Sequence, residues 1–240
     1  MFFRWDARLI RKEYLTDKVI YFEFTCIPNF SFQPGQFVTI KVPNRNIPRA
    51  YSIVSVNSTY ISFLIDISPQ GINSKYFESM NINDTVEIAG PYGLFMLKNN
   101  NKPKIFLCTS TGIAPFLPMF YKIFEEKKSS YDVTLCFGTR FNRHDFVYAF
   151  IKQYFNYSSF KYYRCVSRED RNTFDPKNLN VNFFAGRITN LLPILKNKNI
   201  EQFLHSEFYI CGSNEIVESI KNTLLDLSVL KENIFFEKYN

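Results

Sequence analysis

One change of pattern constrains this 240-residue chain more than any other feature. Ahead of the polar, Pro-containing stretch Lys98-Asn99-Asn100-Asn101-Lys102-Pro103, β-branched and aromatic residues come in short runs: Val19–Phe24, Gln36–Val42, Tyr60–Ile65 and Thr85–Ala89. Turn formers separate them, as in Ile27-Pro28-Asn29, Gln33-Pro34-Gly35 and Val42-Pro43-Asn44. Many short strands with almost no helical periodicity predict an antiparallel barrel, with one short helix at Ser74–Met80. Beyond the stretch the runs become continuously apolar, at Lys104–Cys108, Val133–Phe137 and Phe208–Cys211. Helical stretches alternate with them, one reaching about Glu126 and one spanning Asn214–Leu227. Strands buried on both faces and linked by helices predict a parallel sheet. The expected fold class is therefore a two-domain β plus α/β chain, with the barrel over 1–98 and the α/β domain over 99–240.

Charge and cysteines narrow the function classes. The net charge of +7 favours acidic partners through long-range steering, but does not choose among nucleic acid, membrane surface, acidic protein and phosphate-bearing cofactor. The five cysteines, Cys26, Cys108, Cys136, Cys165 and Cys211, contain no C-x-x-C pair. That spacing argues against a zinc site or an iron–sulfur cluster on this chain and for reduced thiols. The first acid, Asp6, comes too early for a secretory leader, and no apolar run approaches membrane-spanning length. A cytoplasmic protein that does not enter the membrane is expected.

Six local patterns carry chemistry. Arg49-Ala50-Tyr51-Ser52 sets a cation, a flat ring and a hydroxyl along an extended segment, suited to a phosphate and an aromatic ligand. Gly71-Ile72-Asn73-Ser74 opens the short helix, where backbone N–H groups attract an anion; an ordinary Ser-capped helix would read the same way. Thr109-Ser110-Thr111-Gly112-Ile113-Ala114-Pro115 follows a buried strand but has a single Gly, so it is neither a Walker loop nor a G-x-G-x-x-G fingerprint. Pro115 is expected in the first turn of the following helix. Arg140, Ser167-Arg168-Glu169 and Gly186-Arg187 supply cations and a hydroxyl after strands. Tyr209-Ile210-Cys211-Gly212-Ser213-Asn214 puts a thiol and a Gly at a strand end, and Glu237-Lys238-Tyr239-Asn240 closes the chain.

In this order and at these intervals the patterns resemble the ferredoxin/flavodoxin–NADP⁺ reductase family, and its bacterial branch more than its plastid branch. The resemblance runs from about residue 6 to 240. It implies a Greek-key flavin domain over 1–98 that holds FAD through Arg49, Ala50, Tyr51, Ser52, Ile65, Asp66, Ile72, Asn73, Ser74 and Thr111. It implies an NADP domain over 99–240 using Gly112, Arg140, Ser167, Arg168, Arg187, Cys211 and Gly212. Ser52, Cys211, Glu237 and Tyr239 would attend the reacting atoms, with Tyr239 covering one flavin face until the nicotinamide displaces it. Asn214 stands where the family has Pro, and Asn240 departs from a terminal aromatic. With no cluster of its own, the chain would pass electrons to a separate ferredoxin or flavodoxin, docked transiently by charge, and is expected to be a monomer. A free-flavin reductase or an oxygenase reductase component shares this core and often uses NADH. A basic nucleic-acid-binding barrel would explain the charge, but it predicts Lys/Arg clustered with exposed aromatics rather than arginines tied to turns.

Overall fold

A computed structural model describes residues 2–43, 47–68, 71–126, 131–169 and 180–239. They form two compact units: Met1–Lys98 with Ala114–Glu126, and Asn99–Ile113 with Lys127–Asn240.

The first unit is a seven-stranded antiparallel sheet built from β1 (Phe3–Tyr14), β2 (Val19–Thr25), β3 (Phe37–Lys41), β4 (Arg49–Ser52), β5 (Ser55–Val56), β6 (Tyr60–Asp66) and β7 (Thr85–Tyr92). The spatial order is β4-β3-β7-β1-β2-β6-β5. The two edge strands, β4 and β5, are separated by only Ile53 and Val54. The three steps from Ser52 to Ser55 span at most about 11 Å, so the sheet must curl until its edges meet. Backbone bonds fasten the seam on both sides, from Ile53 N–H to Gln36 O at 3.1 Å and from Val54 N–H to Ser62 O at 3.0 Å.

The longest strand, β1, is absent from the sequence-level strand assignments. Its core residues Trp5, Ala7 and Leu9 alternate with the charged Arg4, Asp6 and Arg8, the period-two pattern of a half-buried strand. The short helix α1 (Ile72–Ser79) starts two residues earlier than expected, and Gly71, not Ser74, caps it. Pro115 lies just ahead of α2 (Phe116–Tyr121) as its N-cap rather than inside its first turn. From Lys122 to Glu126 the helical stretch widens to a π-turn.

The second unit is a six-stranded, all-parallel sheet: β8 (Lys104–Thr109), β9 (Val133–Thr139), β10 (Phe160–Val166), β11 (Val181–Ala185), β12 (Glu207–Ser213) and β13 (Ile234–Tyr239). The order β11-β10-β9-β8-β12-β13 reverses direction between β8 and β12, and ligands of open α/β sheets bind outside the strand carboxyl ends at such a reversal. Helices α3 (Tyr148–Ile151), α4 (Ile188–Lys198), α5 (Ile200–His205) and α6 (Asn214–Asp226) lie between strands in the chain. Ile188, Leu191 and Leu192 of α4 and Val217, Ile220 and Leu224 of α6 enter one core cluster, at the three-to-four-residue spacing of a helix face. No helix among the described residues is long and apolar enough to cross a membrane.

Candidate functional site

In the first unit, β4 and α1 bring together residues more than twenty positions apart. Arg49 and Ala50 are exposed, Tyr51 is half-buried and Ser52 is buried. The Tyr51 ring stands edge-on to Phe77 of α1, with centroids 5.3 Å apart. Burial pushes the Tyr51 hydroxyl up to about 12, against the opposing effects of its hydrogen bond with Asn73 and the charge of Arg49. Arg49, Tyr51 and Asn73 thus share one locality, beside the first turn of α1. That turn carries no acid and its Gly71 cap contributes no side chain; a Cβ at Gly71 would meet nothing within 4 Å. A cation, a fixed aromatic ring and an open helix N-terminus fit a phosphate-bearing aromatic cofactor. Ile72 and Ser74 lie in the same turn. Ile65, by contrast, is a barrel-core residue, and Asp66 accepts the Ser68 N–H at 2.8 Å where the chain leaves β6.

In the second unit the remaining predicted residues line the carboxyl edge of the parallel sheet in an order that only the topology creates. Arg187 follows β11, Ser167 and Arg168 follow β10, and Arg140 follows β9. Thr111 and Gly112 follow β8, Cys211 and Gly212 end β12, and Glu237 and Tyr239 end β13. The basic residues and the thiol–carboxylate–phenol group therefore sit at opposite ends of one edge. Two to five strand spacings of about 4.8 Å put them roughly 10–24 Å apart.

At the Cys211 end the packing is tight. A Cβ on Gly112 would lie 2.4 Å from the Cys211 carbonyl oxygen, so the turn after β8 can press against β12 only without a side chain. Cys211 is in register with Cys108 on one side and Glu237 on the other, and it is fully buried. Burial and then the Glu237 charge push its thiol well above the usual range, although the Tyr239 hydroxyl bonds to it. Cys211 stays protonated at neutral pH and can act by packing, not as a nucleophile. The Tyr239 hydroxyl also reaches the Thr111 carbonyl at 3.5 Å, a long hydrogen bond. Ser213 caps α6, and Asn214 is that helix's first residue, where a Pro would serve equally. Asn240 lies outside the described residues.

At the cationic end, Ser167 N–H bonds to Thr139 O and Arg168 N–H to Arg140 O, both at 3.0 Å. Arg168 and Arg140 are thereby held side by side past the strand ends. Arg187 caps α4, its N–H donating to Asn190 Oδ1 at 3.2 Å. Sequence reasoning missed the support below these arginines. Arg164 of β10 pairs with Asp145 and donates to Asn142 Oδ1 at 2.7 Å, while the Asn142 N–H donates to Glu169 at 2.8 Å. The available signal was a cation inside an otherwise apolar strand, Tyr162-Tyr163-Arg164-Cys165-Val166, which demands a buried partner.

Residues 6–97 match the family model described as an oxidoreductase FAD-binding domain. Over 222 residues the chain is 28% identical to the toluate 1,2-dioxygenase electron transfer component of Pseudomonas putida, covering 87% of this chain and 59% of that protein. The chain thus spans about three-fifths of that relative's length. A ferredoxin NADP⁺ reductase from Neisseria gonorrhoeae, solved with bound FAD and NADP, superposes with a TM-score of 0.80 at 25% identity, covering 98% of each chain. The ferredoxin-NADP⁺ reductase of Plasmodium falciparum, at 21% identity and a TM-score of 0.75 over 98% of this chain and 96% of that one, has the same fold.

Proposed function

We propose that this chain is an FAD-dependent oxidoreductase of the ferredoxin–NADP⁺ reductase type that takes reducing equivalents from NADPH and delivers them to a separate, acidic one-electron carrier such as ferredoxin or flavodoxin. The observation that carries the nucleotide half of this reading is the ordered carboxyl edge of the parallel sheet, with arginines after β9, β10 and β11 and Cys211, Glu237 and Tyr239 at β12 and β13. The flavin half rests on the family match over residues 6–97 and on the Arg49–Tyr51–Asn73 locality.

When bound, the flavin supplies the chemistry of accepting a hydride and releasing its electrons one at a time. The chain's own residues bind and orient. Arg49 and the α1 N-terminus would hold the cofactor's phosphates, and Tyr51, braced by Phe77, would present a ring to its flat part. Arg140, Arg168 and Arg187 would grip the 2′-phosphate that separates NADPH from NADH. Gly112 lets the turn after β8 close onto the Cys211 carbonyl, which keeps that turn beside the Cys211 end of the edge. The protonated Cys211 packs at the nicotinamide end without competing as a nucleophile.

A second reading, the reductase component of an oxygenase, draws on the likeness to the toluate dioxygenase component; it differs in the electron acceptor and often in the nucleotide. The net charge of +7 favours an acidic protein partner in either case. The test begins with the purified protein's colour and extraction of its flavin, followed by reduction with NADPH and with NADH. Arg168→Ala combined with Arg187→Ala should cut kcat/KM for NADPH roughly 10-fold or more with little effect on NADH. Equal losses for the two nucleotides would remove the 2′-phosphate assignment, and a colourless, flavin-free protein that takes up no FAD would remove the flavin reading.

A further inference from the structure

Glu169 sits immediately after Arg168, so an acid stands beside the cations proposed to hold a 2′-phosphate. Left free, a carboxylate there would repel that phosphate and favour a bare ribose hydroxyl. It is not free: it accepts the Asn142 backbone N–H at 2.8 Å. Asn142 is itself tied inward, its Oδ1 accepting from Arg164 Nη1 at 2.7 Å. Arg164 pairs with Asp145, with side-chain exposures of 10% and 2%. Asp145 in turn accepts the Tyr162 hydroxyl at 3.0 Å and the Val147 N–H at 3.1 Å. The chain of contacts runs from the core of the parallel sheet to the two turns that carry Arg140 and Arg168.

We propose that Glu169 is a positioning residue for nucleotide selection: held on the Asn142 N–H, it fixes the Ser167–Glu169 turn against the Arg140–Asn142 turn and keeps its own charge off the 2′-phosphate. The inference rests on the nucleotide reading above and adds to it a residue that need touch no ligand. Two consequences separate it from a merely structural role. Loss of the latch should weaken ligands that carry a 2′-phosphate and spare those that lack one. A neutral side chain that still accepts the Asn142 N–H should preserve the effect, since the requirement is for an acceptor in place.

The experiment is calorimetric titration of the purified 240-residue chain with adenosine 2′,5′-bisphosphate and with AMP, in the parent, Glu169→Ala and Glu169→Gln. In Glu169→Ala the affinity ratio of bisphosphate to AMP should fall roughly fivefold or more, whereas Glu169→Gln should hold the ratio within about twofold of the parent or raise it. An unchanged ratio in Glu169→Ala overturns the proposal, as does an equal fall in both variants or a parallel loss of AMP binding. A parent protein that does not distinguish the two ligands would instead count against the NADP reading itself, so the two failures are separable.

Discussion

At the residue scale, a few atoms decide whether the parallel-sheet edge can hold a nucleotide. Gly112 is the sharpest case, because its missing Cβ leaves space occupied by the Cys211 carbonyl, 2.4 Å away. Backbone cannot retreat as a flexible side chain can, so Gly112→Ala should shift the turn after β8 and cost about 1–3 kcal/mol. The check is a urea titration of the variant alongside binding of AMP; a variant with parent stability and parent affinity would show that the close approach is dispensable. The Asn142–Glu169 latch belongs to the same scale. A single backbone N–H, that of Asn142, holds the acid that follows Arg168.

At the element scale, β8 and β12 flank the reversal and are pinned at their amino ends by buried charge. Lys104 opens β8 with no exposed surface and lies opposite Glu207 in register. Its Nζ is 2.9 Å from Glu207 Oε2 and donates to Asn100 Oδ1 at 2.6 Å. The Asn100 side-chain amide donates to Glu207 at 2.6 Å and the Tyr209 hydroxyl at 2.9 Å. Burial alone would push Glu207 up, but Asn100 and Lys104 outweigh it and hold the carboxyl below its usual range. Such a pair contributes registry more than net stability, since its attraction is offset by desolvation. Lys104→Met should therefore strand Glu207 and cost about 3–5 kcal/mol, while Lys104→Met with Glu207→Leu should regain most of the loss. Urea midpoints of the two variants decide it. A double variant no better than the single one would mean that the pair stabilises in its own right.

At the scale of the whole molecule, both units bury groups that resist ionisation. Burial pushes Tyr51 and Cys165 up to about 12, and Cys108, Cys136, Cys211 and Tyr162 well above their ordinary values. Each folded value exceeds the unfolded one. The stability these groups contribute is therefore fully present below pH 9 for the thiols and pH 10 for the phenols. It drains away as pH rises through the folded values. For Tyr51 alone the two-unit shift corresponds to about 2–3 kcal/mol lost by pH 12. The urea midpoint should fall steeply between pH 9 and 11, with tyrosinate absorbance rising together with unfolding. A flat midpoint over that range, or tyrosine titration completed before unfolding, would contradict the burial argument.

Periodicity alone determined that a β half precedes an α/β half, because period-two runs and continuous apolar runs bury different numbers of faces. The residue types of the candidate motifs were equally legible: Arg49, Tyr51, Arg140, Arg168, Arg187, Cys211 and Tyr239 stand out where charge, ring or thiol meets a turn signal. β1 was hidden because half its residues are charged, although alternation placed Trp5, Ala7 and Leu9 in the core. Tertiary structure alone decided adjacency. The two-residue span Ile53-Val54 closes the barrel only because β4 and β5 end up as its opposite edges, and cations spread over nearly fifty positions align only because β9, β10 and β11 are adjacent parallel strands, while the reversal between β8 and β12 puts Cys211 and Tyr239 on the other side of β8. The partners of Arg164 and Lys104 were likewise unreadable in one dimension, since a buried charge announces that it needs a counter-charge but not which distant strand or turn provides it.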